Sequence, residues 1–108
     1  MNSESQPTTT NIYEMIESLG KDDFPNILHD SENQRTILFS FKAGQDLQPH
    51  TSKSEVLMCV IKGEGTFIIQ DERIPVSIGS LVVCPSEMSH GVSADTDMIM
   101  LAVITPGV

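Results

Sequence analysis

From Arg35 onward the chain is written in short apolar runs separated by turn-forming residues, and this punctuation limits what it can fold into. The runs are TILFSF, EVLMCVI, TFIIQ, IPVSI, SLVVC, HGVSA and MIMLAVI. Together they are rich in Val, Ile and Phe, and each is too short for a helix. The breaks fall at Gly44, Gly63 to Gly65, Asp71 to Glu72, Gly79, Pro85 to Glu87 and Asp95 to Asp97. Regular short strands divided by turn signals predict an all-β sandwich or barrel. A length of 108 residues supports one such core and not two.

Some of these strands are apolar on both faces. In EVLMCVI, Val56, Met58 and Val60 share one face, while Leu57, Cys59 and Ile61 share the other. MIMLAVI behaves in the same way. Such strands need cover on both sides. The barrel interior supplies one cover. The N-terminal helix, a second sheet or a second subunit supplies the other. So short a chain has few elements to spare for an outer layer, so a symmetric homodimer is expected.

The N-terminal third reads differently. Residues 1–10 are polar and are expected to be mobile. NIYEMIESLG, residues 11–20, predicts a short helix, with Asn11 as its cap and Glu14 completing a capping box. Ile12, Met15, Ile16 and Leu19 form its apolar stripe, and Gly20 can end it. KDDFPNILHD reads as an extended linker anchored by Phe24, Ile27 and Leu28. The expected organisation is a flexible segment over 1–10, helix and linker over 11–34, and the barrel over 35–108.

A net charge of −9 and a pI near 4.5 exclude nucleic acid as a natural partner, because phosphates repel an acidic surface. Anionic membranes are excluded on the same ground. No stretch has the apolar length needed to span a bilayer. MNSESQPTTT has neither the basic region nor the apolar core of a secretory signal. A cytoplasmic location is expected. Cys59 and Cys84 both lie inside apolar runs and read as inert, buried core thiols in a reducing compartment.

Chemistry is confined to few residues. Of the three histidines, His29 falls in the linker and reads as a surface residue. His50 follows Pro49 at the mouth of the run EVLMCVI. His90 is delivered by a short loop after Pro85, at the end of GSLVVCPSEMSH. Two histidines at strand ends in a small barrel can converge on its interior.

At these residues the segment from about 36 to 104 resembles a single-domain cupin of the RmlC-like superfamily. The first cupin motif runs glycine, five residues, His-x-His, three or four residues, Glu, six residues, glycine. Gly44, His50 and Gly63 stand in register with it. The second runs glycine, five residues, Pro-x-Gly, two residues, His, three residues, Asn. Gly79, Pro85 and His90 match it. The resemblance implies a double-stranded β-helix, the jelly-roll barrel, preceded by a short helix. It also exposes departures. Ser52 holds the second histidine position, Val56 the glutamate position, Glu87 the second motif's glycine and Ala94 its asparagine.

Metal-binding cupins hold their ion with three histidines and one glutamate. Here Glu55 stands one residue early, and a slip of one residue moves a side chain to the opposite face of a strand. If Val56, Met58 and Val60 face inward, Glu55 points outward unless a bulge between Ser52 and Ser54 turns it back.

Three functions follow. The first is small-molecule binding in a pocket formed by His50, Ser52, Val56, Met58, Val60 and His90. The second, implied by the resemblance, is a metal-dependent dioxygenase, decarboxylase or isomerase. It would hold one divalent ion (Fe, Mn, Ni or Zn) with His50, His90 and Glu55. The third is metal-free acid–base catalysis, as in the sugar epimerases of the superfamily. It needs a cationic pocket, and past the first apolar run only Lys42, Lys53, Lys62 and Arg73 are cationic. The first reading tolerates every departure.

Overall fold

Alternation of buried and exposed residues along the short runs pairs them into two facing antiparallel sheets. The computed structural model describes residues 6–18 and 25–107. A helix, α1 (Ile12–Ser18), is followed by β1 (Asn26–Asp30), β2 (Arg35–Phe41), β3 (Asp46–His50), β4 (Glu55–Lys62) and β5 (Gly65–Ile69). After these come β6 (Glu72–Val76), β7 (Leu81–Cys84), β8 (His90–Ala94) and β9 (Met98–Thr105). One sheet has the order β1-β2-β9-β4-β7 and the other β3-β8-β5-β6. This is an all-β architecture, as the run pattern predicts, and the double-sheet jelly roll that the cupin resemblance implies.

The core lies between the sheets. Phe41, Met58, Val60, Phe67, Val92 and Met100 are almost wholly buried there. Full burial of each such side chain contributes about 1.5–3 kcal/mol. Val56, Met58 and Val60 face the interior, so period-2 alternation sends Leu57 and Cys59 to the outer face. The expectation that both cysteines are core thiols is therefore corrected for one of them. Cys84 is fully buried, whereas Cys59 is only half-buried on the outside of β4.

At the N-terminus, Asn11 caps α1: its Oδ1 accepts the Glu14 N–H at 3.0 Å. Ile12, Met15 and Ile16 are half-buried, while Leu19, Gly20 and the anchor Phe24 lie outside the described residues. The segment read as linker departs from expectation. Asn26–Asp30 forms an edge strand on β2, and the Asp30–Arg35 ion pair, 3.1 Å, closes that hairpin. The open edge of β2 supplies backbone partners for a segment whose own apolar signal is weak. Ile27 is half exposed, whereas Leu28 is half-buried. The strand β3 was equally silent, since DLQPH contains one aliphatic residue. Among the described residues no helix is long and apolar enough to cross a membrane.

Candidate functional site

The site begins with a miscount between two strands. On β3 and β8, Leu47 stands opposite Val92 and His50 opposite His90. Between those pairs β3 carries Gln48 and Pro49, while β8 carries only Gly91. Three steps along a regular strand would put His50 on the face opposite Leu47. The extra residue of the bulge restores it to the inner face, beside His90. Gly91 makes the bulge possible. A Cβ there would lie 2.8 Å from the Pro49 nitrogen and 2.9 Å from the Leu47 carbonyl oxygen. The rim bulge thus sits before Ser52, on β3, and not between Ser52 and Ser54.

Both imidazoles are held alike. Their ring centroids are 4.5 Å apart with planes tilted by 57°. His50 Nδ1 lies 3.0 Å from the Gln48 carbonyl oxygen, and His90 Nδ1 lies 3.0 Å from that of Met88. A carbonyl oxygen can only accept, so in the neutral ring Nδ1 carries the proton. That leaves Nε2 as the acceptor nitrogen in both rings. His90 is buried at 4% exposure and His50 is exposed, so the pair runs from interior to rim.

The two rings open on a cavity of about 120 Å³. Its walls include Phe39, Leu47, Val56, Met58 and Met100, and its polar lining is His50, His90, Ser52 and Ser54. Val60 belongs to the core but not to this lining; it lies two residues further along β4 than Met58. Phe39, Leu47 and Met100 escaped the sequence reading. For Phe39 and Met100 the signal was present, since they face each other across β2 and β9 on the inner side.

The loop between β7 and β8 supports His90. The Glu87 backbone N–H donates to the Ser52 carbonyl at 2.7 Å and ties this loop to the start of β4. Glu87 adopts φ 70°, a left-handed conformation that a glycine would adopt without cost.

A divalent metal was tested against this donor set. The two Nε2 atoms supply two ligands. Ser52 Oγ already donates to the Ser54 carbonyl and accepts from the Ser54 N–H. Ser54 Oγ donates to the Pro106 carbonyl at 2.6 Å. Glu55 is exposed on the outer face of β4 and is absent from the lining. Among the described residues no group of three or more His, Cys, Asp or Glu side chains is placed to hold an ion. Protein sites for zinc or non-haem iron need three or more such ligands. The residues present do not fit a divalent metal site of that kind.

A double-sheet barrel with two strand-end histidines at one mouth defines a jelly-roll protein of cupin type. The model of the cupin domain family matches residues 37–104, and the chain belongs to that family. It is similar to an RmlC-like cupin from Desulfovibrio desulfuricans, with 37% identity, TM-score 0.78, and coverage of 86% of this chain and 93% of the other. An RmlC-like cupin from Shewanella frigidimarina shares the fold at 16% identity, TM-score 0.72, covering 82% of this chain and 88% of the other. Salicylate 1,2-dioxygenase from Pseudoaminobacter salicylatoxidans does so at 18% identity and TM-score 0.67, covering 72% of this chain and 23% of the dioxygenase. No curated protein matches the sequence.

Proposed function

We propose that this cupin binds a small, largely apolar molecule that donates hydrogen bonds to His50 and His90. The observation that carries the reading is the pair of Nδ1-tethered imidazoles beside an apolar cavity. Tethering turns both rings into acceptors of known orientation, and a fixed acceptor pair selects a donor. An ionised carboxylate offers no proton, and the net charge of −9 repels carboxylates and phosphates alike.

Size narrows the class further. A dry protein cavity of roughly 150 Å³ takes one benzene. The cavity here, about 120 Å³, suits a ligand whose buried part is no larger. Neutral phenols, small diols and amides meet both conditions. Ser52 and Ser54 have committed their hydroxyl protons to the Ser54 and Pro106 carbonyls, so they have no proton left to donate to a ligand.

Calorimetric titration with a panel of such neutral donors, each beside its carboxylate counterpart, tests the reading. Neutral donors should bind, and His50→Ala and His90→Ala should each weaken them about tenfold, the worth of a good hydrogen bond. Equal binding of the carboxylates, or binding that survives both replacements, overturns it. Metal analysis of untagged protein addresses the enzyme alternative. Stoichiometric divalent metal that disappears in both alanine variants would replace ligand binding with metal chemistry at His50 and His90.

A further inference from the structure

The four-stranded sheet has a second face, turned away from the barrel interior. Phe67 and Val92 are buried in the core, so period-2 alternation turns Ile68, Gly91 and Ser93 outward. Strand pairing fixes two rows across this face. One runs from Asp46 on β3 through Ser93 to Thr66, and the other from Gly91 through Ile68 to Arg73 on β6. Gly91 brings no side chain to its row, and Ser93 brings only a small one to the next. A hollow of about 290 Å³ is left there, and its lining includes Asp46, Gln48, Pro49, Ile68, Arg73 and Ser93. Small-molecule sites begin at about 300 Å³.

The polar groups of the hollow are uncommitted. Among the described residues, the side chains of Asp46, Gln48, Ser93 and Arg73 have no hydrogen-bond or ion-pair partner. The two charges stand on the outermost strands of the sheet, three strand spacings or about 14 Å apart. They therefore do not neutralise each other. The hollow has a negative end at Asp46 and a positive end at Arg73. Between them lie a hydroxyl and the apolar surface of Ile68, with the Gln48 amide and Pro49 on the β3 side.

We propose that this hollow binds a zwitterionic α-amino acid with an apolar side chain. Its ammonium group meets Asp46 and its carboxylate meets Arg73, each through charge-assisted hydrogen bonds. Its side chain lies on Ile68 and Pro49. A simple carboxylate is repelled by Asp46, and a simple amine by Arg73. A zwitterion satisfies both ends and has no net charge, so the field of a chain at −9 does not drive it off. The hollow and the histidine cavity lie on opposite faces of the same sheet, so the site stands whether or not the cavity binds a ligand.

Nuclear magnetic resonance of the isotope-labelled full chain, titrated with L-leucine to about 20 mM, tests it. The backbone amides of Asp46, Ile68, Arg73 and Ser93 should shift, and those of Met58 and Met100 in the histidine cavity should not. Leucinamide and N-acetyl-leucine each lack one of the two charges and should bind at least tenfold more weakly. Asp46→Asn and Arg73→Gln should each weaken leucine at least tenfold. Lys53→Gln removes a cation outside the hollow and should leave its affinity unchanged. All three replacements change exposed side chains, and circular dichroism checks that each variant is folded. A wild type whose amides do not shift overturns the proposal, as do shifts confined to the histidine cavity. So do single-charge analogues that bind as well as leucine, a folded Asp46→Asn or Arg73→Gln variant that keeps full affinity, or a Lys53→Gln variant that loses as much as Arg73→Gln.

Discussion

His50 and His90 face each other across β3 and β8 with ring centroids 4.5 Å apart, and each is anchored through Nδ1 to the carbonyl two residues before it. The repeated i−2 tether makes the two rings equivalent in tautomer but not in burial. That difference separates their roles in stability from their shared role at the cavity.

Replacement by alanine should expose the difference. His90→Ala empties a buried position and leaves the Met88 carbonyl without its side-chain donor, a loss of about 1–3 kcal/mol in urea unfolding. His50→Ala removes an exposed ring and should change stability by no more than about 0.5 kcal/mol. Equal losses at the two positions would mean that the rings do not differ in burial as described.

Gly91→Ala tests the bulge. The new Cβ would overlap the backbone of Leu47 and Pro49, which is not a flexible side chain that can swing away. β3 must then move off β8. Overpacking of this kind costs about 1–3 kcal/mol. The nuclear Overhauser contacts between the His50 and His90 rings should disappear together with that stability. Retention of both would show that β3 reaches His50 without the close approach.

Glu87→Gly should stabilise the chain. A non-glycine residue in the left-handed region costs roughly 1–2 kcal/mol. Glycine returns about 0.5–1 kcal/mol of that through the greater freedom of the unfolded chain. The net expectation is a gain of about 0.5–1 kcal/mol in urea unfolding. A loss would show that the Glu87 side chain holds the loop through contacts that outweigh its backbone strain.

Much of the fold was legible because each apolar run carries its own period and its own stops. Gly63 illustrates why the stops read clearly: it has φ 85°, and a Cβ there would meet the Met98 Cα at 2.8 Å, so no other residue fits. The two strands that escaped notice, β1 and β3, are held by neighbours rather than by apolar alternation of their own. The site was half legible. His50, His90, Val56 and Met58 do line one cavity. The bulge that aligns the histidines was not legible, because its cause lies in Gly91, on another strand. Leu47 reaches the cavity through the same unrecognised strand. Cys59 was misread because a run apolar on both faces does not say which face is inside; that follows only from pairing with β9 and β7.

Cys84 gives the fold a pH dependence. Burial disfavours its thiolate and raises its pKa above the ordinary value of 9.0. The unfolded chain, with the lower pKa, gives up the thiol proton first as pH rises. A raised folded pKa therefore contributes stability that is fully present below the unfolded value and is lost as pH climbs through the folded one. Between pH 7 and about 10.5 the unfolding free energy of the wild type should fall more steeply than that of Cys84→Ala, by at most about 1.4 kcal/mol per pH unit. The alanine variant is less stable at neutral pH because of the space it leaves, so slopes rather than absolute values decide. Cys59 is present in both proteins, and its contribution cancels in the difference. Parallel slopes measured by urea unfolding across that range would mean that the Cys84 thiol ionises as readily in the folded chain as in the unfolded one.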